Sequence, residues 1–259
     1  MRGLWVTEYT DFDRLTVTDD IVLPPLAPRQ MRLRVGAAGV SFATSLIVAG
    51  KYQRKPPLPF APGTECAGEV IECGDEVTRF KPGDRVCAAL DWGAMAEEAL
   101  AWEVNCYPIP DNIDFAEATN FNSYATSGAA LTWPHLLNVQ PGETLLVHGA
   151  AGGIGLAGVE IGKILGATVI ATASTAAKRA MATAHGANLT LSITPMAGSA
   201  MLSTNSPGGA ARMPSSIRWA ATCSTNRYAA SRWRDGSRRW GSPRAGRRRS
   251  RPISCWSRT

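Results

Sequence analysis

The residues with the clearest chemical potential are three glycines in the segment GAAGGIG, spaced G-x-x-G-x-x-G. The apolar run TLLVH ends directly before them, and apolar residues at helical spacing follow them. Such a turn brings backbone N–H groups to a helix N-terminus, where a pyrophosphate binds and any Cβ atom would obstruct it. The sequence therefore predicts a dinucleotide-binding turn formed by Gly149, Gly152, Gly153, Ile154 and Gly155. The alternative is a glycine loop that serves close packing alone.

The choice of dinucleotide depends on the end of the next strand, where NAD enzymes place an Asp or Glu for the ribose 2′-hydroxyl. Here the apolar run TVIATA is followed by Ser174 and Thr175, with Lys178 just beyond and no acidic residue nearby. Hydroxyl groups and a cation suit a 2′-phosphate, so we predict that Ser174 and Lys178 bind it and that the cofactor is NADPH. Lys178 could also be a solvated helix residue, which makes the missing acid the stronger evidence.

The elements that must position this turn indicate an α/β protein. A strand, a glycine turn, a helix and a second strand follow one another between residues 144 and 174. Residues 1 to about 109 instead alternate short strands with glycine turns and a Pro-Gly turn in KPGD, a pattern typical of a small β-barrel. The sequence thus predicts two domains of different architecture.

The stretch AAGVSFATSLIVAGKYQRKPPLPFAPGTECAGEVIECGDEVTRFKPGDRV resembles the catalytic domain of the medium-chain dehydrogenase/reductases, in particular their quinone oxidoreductase branch. The resemblance runs without a gap from Met1 to about Ala187, and the glycine spacing resembles the A-x-x-G-x-x-G variant of that branch. It implies a GroES-like β-barrel catalytic domain over residues 1–120. The first half of a Rossmann NADP-binding domain would then cover residues 121–191.

The resemblance also implies a site without a metal ion. The zinc alcohol dehydrogenases of the superfamily hold zinc with a Cys and a His, and the matching positions here are Ser41 and Thr64, neither a good zinc ligand. Tyr52 matches a tyrosine near the nicotinamide, Ser41 replaces an asparagine there, and Thr126 matches a threonine near the nicotinamide ribose. Ser41, Tyr52 and Thr126 are therefore the predicted catalytic residues. Tyr52 is equally compatible with a rim aromatic that packs on the following proline-rich loop.

The charge of the chain changes abruptly near residue 191. Residues 1–191 carry 14 Lys and Arg against 20 Asp and Glu, whereas residues 192–259 carry 13 Arg, no Lys and the single acid Asp235. This basic end lacks hydrophobic periodicity, and its tryptophans are interleaved with arginines. One interpretation is a nucleic-acid-binding arm, in which arginines neutralise phosphates and aromatics stack on bases.

A shifted reading frame explains the basic end better. If the last base of each codon is joined to the first two of the next, RMPSSIRWAATCSTNRYA permits the phrase DAVFDPVGGDVFDESLR, which resembles the same family. Other family phrases are permitted in the same order and frame. We therefore interpret residues 192–259 as an out-of-frame, disordered, non-native tail, with the slip near residues 188–192 and no specific nucleic-acid binding.

Composition limits the remaining possibilities. No apolar run is long enough to span a bilayer, and the N-terminus shows no signal-peptide pattern. The six cysteines form no C-x-x-C pair, which favours free thiols in a reducing cytoplasm.

The expected function is hydride transfer from NADPH, without zinc, to a small molecule: a quinone, an enone or an enoyl thioester. The resemblance implies a protein that often forms homodimers. The frame slip implies that the chain as written is inactive. The alternative is a non-catalytic remnant with a basic tail that associates with nucleic acid.

Overall fold

A computed structural model describes residues 1–196, 199–203, 217–222 and 228–232 of the 259-residue chain. The chain divides into two compact units, Met1–Asn122 and Ser123–Thr259. The sequence placed a domain boundary after residue 120, close to the division between the units.

The first unit is built mainly of short strands. Its strands are β1 (Gly3–Trp5), β2 (Thr16–Thr18), β3 (Gln30–Ala38), β4 (Glu65–Cys73), β5 (Arg85–Ala89), β6 (Glu98–Trp102) and β7 (Cys106–Pro108). Its short helices are α1 (Phe42–Val48) and α2 (Phe115–Ala118). Strands β3 to β7 form a five-stranded antiparallel sheet in the order β6-β3-β4-β5-β7, and β1 pairs with β2. The predicted β-rich domain is confirmed.

Alternation along β3 shows why this sheet forms. Met31 and Leu33 are fully buried in the core, while the intervening Arg32 points away from it and pairs with Glu72 at 2.8 Å and Glu98 at 3.3 Å. Those carboxylates lie on the two neighbouring strands, so one arginine links three strands on the polar face. Period-two alternation of this kind is the physical signature of a half-buried strand.

The second unit alternates strands and helices. Its helices are α3 (Phe121–Thr132), which begins just before the division between the units, α4 (Gly153–Ile164) and α5 (Ala176–Ala184). Its strands are β8 (Thr144–His148), β9 (Thr168–Ala173), β10 (Leu189–Met196), β11 (Ser199–Ser203), β12 (Ile217–Thr222) and β13 (Tyr228–Arg232). The predicted succession of strand, glycine turn, helix and strand corresponds to β8, α4 and β9.

These strands form one sheet in the order β11-β10-β9-β8-β12-β13. Strands β8, β9, β10 and β12 run parallel, and β11 and β13 are antiparallel edge strands. The chain thus passes outward from β8 to β9 and β10 and then returns to the other side of β8. That order reverses at β8, as it does in dinucleotide-binding sheets.

The extent of this sheet differs from the prediction, which recognised only two strands in it. The physical reason is that strand pairing uses main-chain N–H and C=O groups, which any residue except proline supplies in full, whereas the prediction relied on side-chain periodicity. The parts of the predicted tail at 197–198, 204–216, 223–227 and 233–259 lie outside the described residues. Its disorder and its origin in a shifted frame stay predictions.

The core of the second unit lies between this sheet and its helices. It contains Leu145 and Val147 of β8, Val169 of β9, Val159 of α4 and Ala182 of α5, all almost completely buried. Within the described ranges, no helix has the length and apolar character needed to cross a membrane.

Candidate dinucleotide site

The glycine turn joins β8 to α4 in the way that the sequence predicted. Gly149 has a φ of +64°, a left-handed conformation in which glycine avoids the strain of a Cβ atom. The turn closes with a hydrogen bond of 3.0 Å from the Gly152 N–H to the Gly149 carbonyl. It is tied to the neighbouring strand by a 3.1 Å bond from the Ala150 N–H to the Thr172 carbonyl. Hydrogen bonds within the turn and to β9 therefore hold its backbone conformation.

The N-terminus of α4 has the properties of an anion site. The Leu156 N–H donates to the Gly152 carbonyl at 2.8 Å, and the N–H groups of Gly153, Ile154 and Gly155 come before this first helical bond. Gly152 is the N-cap and has no side chain that could accept from them, and the first turn contains no acidic residue. The positive end of the helix dipole lies at these donors and favours a negatively charged group.

Packing within the turn requires glycine at some of these positions and not at others. A Cβ on Gly155 would lie 2.4 Å from the Gly149 carbonyl oxygen, so this position needs glycine for packing within the turn. A Cβ on Gly152 would meet nothing closer than 3.5 Å, and its φ of −87° suits any residue. Neither packing nor backbone conformation therefore requires glycine at 152. The absence of a side chain at this position leaves space above the N-terminus of α4.

Two residues that support the turn were missed by the sequence analysis. The Ser127 hydroxyl of α3 donates to the Ile154 carbonyl at 2.8 Å and thereby holds the first turn of α4. Gly162 allows α4 to approach the sheet, since a Cβ there would lie 2.5 Å from Leu145 Cδ2. A glycine in a helix interior is costly, and that was the available signal for Gly162. Nothing in the local pattern indicated Ser127.

Ser174 and Lys178 lie at the carboxyl end of β9, as predicted, and both are exposed. Thr175 begins α5 as its N-cap, and its hydroxyl accepts a 3.2 Å hydrogen bond from the Lys178 N–H. The Thr175 hydroxyl thus serves the helix, whereas the Ser174 side chain and the Lys178 ammonium group face solvent. This end of β9 lies beside the glycine turn, because β8 and β9 are parallel neighbours.

Thr126 lies on the exposed side of α3, next in sequence to the buried Ser127. Because Ser127 is bonded to Ile154, the helix that carries Thr126 adjoins the first turn of α4. The structure therefore brings together the glycine turn, α3 and the end of β9 within the second unit. The role of Thr126 itself stays a prediction.

The two predicted catalytic residues of the first unit have local structural contacts. Ser41 is the N-cap of α1, and its hydroxyl accepts a 3.3 Å bond from the Thr44 N–H. Tyr52 is half-buried and packs against the apolar cluster that contains Ile47 and Phe60. These contacts account for both residues as parts of the scaffold, and their catalytic roles stay predictions.

Glu65 follows Thr64 and is a buried carboxyl group in the first unit. Burial raises its pKa, and the Asn122 N–H donates to it at 3.2 Å, which opposes part of that rise. The adjacent Cys66 is also buried, and burial raises the pKa of its thiol to about 12. In the part of the chain that the structure describes, no three His, Cys, Asp or Glu side chains are grouped to hold a metal ion.

Comparisons with known proteins agree with this architecture. Residues 27–111 match the alcohol dehydrogenase GroES-like domain family. The chain is 36% identical over 190 residues to the quinone oxidoreductase of Rattus norvegicus, an alignment that covers 73% of the chain and 57% of that protein. It is 42% identical over 159 residues to the quinone oxidoreductase-like protein 2 homolog of Nematostella vectensis, covering 60% of the chain and 43% of the relative. The chain thus spans about half the length of these relatives.

Solved structures show the same likeness. A probable oxidoreductase from Mycobacterium abscessus superposes with a TM-score of 0.67 at 36% identity, covering 73% of this chain and 60% of that one. The Escherichia coli quinone oxidoreductase, solved in complex with NADPH, superposes with a TM-score of 0.67 at 30% identity, covering 73% and 58%. With the GroES-like match, the parallel sheet and the glycine turn, these likenesses show that the aligned part of the chain, 73% of its length, resembles the quinone oxidoreductase family of the medium-chain dehydrogenase/reductases.

Proposed function

We propose that this protein is an NADPH-dependent oxidoreductase that reduces a quinone or an activated C=C bond. The observation that carries the proposal is the N-terminus of α4, where three backbone N–H groups precede the first helical bond and the N-cap is a glycine that packing does not require. The family relationship supports the reaction class. The Escherichia coli relative was solved with NADPH, which supports the choice of cofactor.

The residues present fit a bound dinucleotide. A Cβ on Gly155 would press into the turn, whereas one on Gly152 would meet only the Gly149 carbonyl oxygen, at 3.5 Å. The space at the N-terminus of α4 is therefore open beside Gly152, where a pyrophosphate would bind. We infer that the N–H groups of Gly153, Ile154 and Gly155 bind the pyrophosphate, and that Ser174 and Lys178 bind the 2′-phosphate. When bound, NADPH supplies the hydride.

The residues of the first unit suit an acceptor that needs little polarisation. Ser41 and Thr64 stand at the positions that the family resemblance matches to zinc ligands, and hydroxyl groups are poor zinc ligands. The Ser41 hydroxyl already accepts from the Thr44 N–H. A quinone, an enone or an enoyl thioester accepts hydride without a strong Lewis acid, so we propose these as the substrate class. In this proposal Tyr52 and Thr126 orient the reactants.

We further propose that the chain as written turns over poorly because residues 192–259 come from a shifted frame. Hydride transfer depends on holding the nicotinamide within a narrow geometry, and orientation contributes a large part of the rate. The test is to express the 259-residue chain beside a version with the frame restored near codons 188–192, and to follow NADPH absorbance with 1,4-benzoquinone. Turnover in the restored version alone is expected. Equal turnover in both contradicts the frame proposal, and turnover in neither contradicts the proposed activity.

Cofactor choice is tested separately, by titrating the chain with NADPH and NADH and following the fluorescence of the bound nicotinamide. Because no acid follows β9, NADPH is expected to bind more tightly than NADH. Lys178→Ala is expected to reduce the difference between the dissociation constants of the two cofactors. Tighter or equal binding of NADH contradicts the assignment of NADPH.

A further inference from the structure

A second cation lies at the carboxyl ends of β9 and β10. Arg179 is on α5, and its guanidinium Nη1 donates to the Ala173 carbonyl at 3.4 Å and to the Ser192 hydroxyl at 3.3 Å. Ala173 and Ser192 are register partners on these two parallel strands. The half-buried arginine therefore extends back from its helix and bridges the strand ends beside Ser174.

The positive charge of this guanidinium has no acidic partner among the described residues. None of their ion pairs includes Arg179, and both of its hydrogen-bond acceptors are neutral. The sequence from residue 161 to residue 196 contains no Asp or Glu. Lys178, the neighbouring charge, is also a cation. A half-buried cation that lacks a countercharge favours binding of an anion.

The shape of the group specifies the kind of anion. A guanidinium has five N–H donors in a rigid planar fork that matches phosphate oxygens, and both described bonds of Arg179 use the same nitrogen, Nη1. The group is thus held in place by one edge. The Lys178 ammonium, on an exposed flexible stem, is a solvated point charge by comparison. Preorganisation favours Arg179 because less side-chain entropy is lost on binding.

We propose that Arg179 binds the 2′-phosphate of the dinucleotide and is the main determinant of the preference for NADPH over NADH. The inference rests on the proposed function. It assigns the decisive contact to Arg179, which is not among the residues that the sequence predicted for this subsite. Ser174 and Lys178 contribute smaller contacts at the same subsite. The Ala173 anchor is a main-chain carbonyl, so it is present whatever side chain occupies position 192.

The test measures two fragments of the cofactor, 2′,5′-ADP and 5′-AMP, by isothermal titration calorimetry on the full 259-residue chain. They differ only by the 2′-phosphate. For Arg179→Gln we expect the affinity for 2′,5′-ADP to fall about tenfold or more, the effect of losing one charge-assisted hydrogen bond, and that for 5′-AMP to stay within about twofold. Lys178→Gln should have a smaller effect. Lys163→Gln, an exposed cation on α4, is the control for loss of charge and should have none.

The outcomes separate the inference from the proposed function. If Arg179→Gln keeps the wild-type ratio of the two affinities, or if Lys178→Gln reduces it more, the inference is overturned. If Arg179→Gln loses both ligands, Arg179→Lys decides, since it keeps the charge without the fork: a selective loss for 2′,5′-ADP supports the inference and an unchanged ratio overturns it. A wild-type chain that binds neither fragment contradicts the dinucleotide site itself, and with it the inference.

Discussion

Replacing Gly152 by serine should separate the stability of the second unit from its affinity for NADPH. Gly152 is the N-cap of α4, with φ −87° and ψ 162°, the extended conformation in which serine is among the most favourable caps. A new Cβ there would lie at an ordinary 3.5 Å from the Gly149 carbonyl oxygen. The serine hydroxyl would accept from the N–H of Ile154 or Gly155, which should raise the free energy of unfolding by a few tenths of a kcal/mol, roughly 0.3.

The same hydroxyl should weaken NADPH binding, because it takes a donor that the pyrophosphate needs and occupies the space above the helix. Hydrogen bonds to charged groups contribute about 1.5–3 kcal/mol each, so the loss of one corresponds to roughly a tenfold to hundredfold rise in Kd. Urea unfolding followed by circular dichroism measures the stability, and NADPH fluorescence titration measures the affinity. An increase in stability together with a loss of affinity is the expected pair of results.

Gly158→Ala is the matched control. Gly158 lies in the interior of the same helix, and a Cβ there would meet nothing closer than 3.8 Å. Alanine should stabilise the helix by about 0.5–1 kcal/mol and leave NADPH affinity unchanged. If Gly152→Ser binds NADPH as tightly as the wild type, or if Gly158→Ala weakens binding equally, then the glycine at 152 does not mark a pyrophosphate site.

Three further predictions concern groups around the two units. Gly155→Ala should lower the free energy of unfolding by about 1–3 kcal/mol in urea titration, since its Cβ would lie 2.4 Å from a carbonyl oxygen of the turn. Burial raises the pKa of Glu65, so ionisation of this carboxyl group lowers the stability of the folded state at any pH above its unfolded-state pKa. Glu65→Gln, which keeps an acceptor for the Asn122 N–H, should therefore raise Tm more at pH 8 than at pH 4. The hydrogen bond from Tyr124 lowers the pKa of Glu160, so Tyr124→Phe should lower Tm at pH 7. The difference in Tm between the variant and the wild type should shrink as the pH falls through the folded-state pKa of Glu160.

The turn was predictable because its requirements are local. The chain changes direction sharply between a strand and a helix, which requires a left-handed Gly149 and brings Gly155 close to the Gly149 carbonyl. The spacing of the glycines in the sequence indicates this turn. The strand and helix patterns on either side were equally clear, since β8 and β9 are continuous apolar runs buried on both faces and α4 has apolar residues at helical spacing. The same reasoning identified the acid-free end of β9.

What the sequence could not show depends on the approach of distant segments. Ser127 supports the turn only because α3 packs beside α4, and Arg179 reaches Ser192 only because β9 and β10 are neighbours. Neither contact follows from local spacing. Ser41 has a structural role that the sequence could have indicated, since a serine directly before a helix is a favourable N-cap and its hydroxyl caps α1. Its role in the site, which the family resemblance implies, stays a prediction.

The positions of these groups along the chain separate cofactor binding from turnover. The predicted pyrophosphate and 2′-phosphate contacts lie between Gly149 and Arg179, after the ends of β8 and β9 and in the first turns of α4 and α5. All precede the proposed slip near residues 188–192. Their backbone is held largely by bonds among β8, α4, β9 and α5, and β9 is also bonded to Glu143, Asn188 and β10. Ser127 and Ser192 add side-chain contacts. The part of the site that binds the adenosine half of NADPH should therefore form even where the nicotinamide is not held for hydride transfer. Binding of 2′,5′-ADP without quinone reduction is the behaviour that this arrangement predicts for the chain as written.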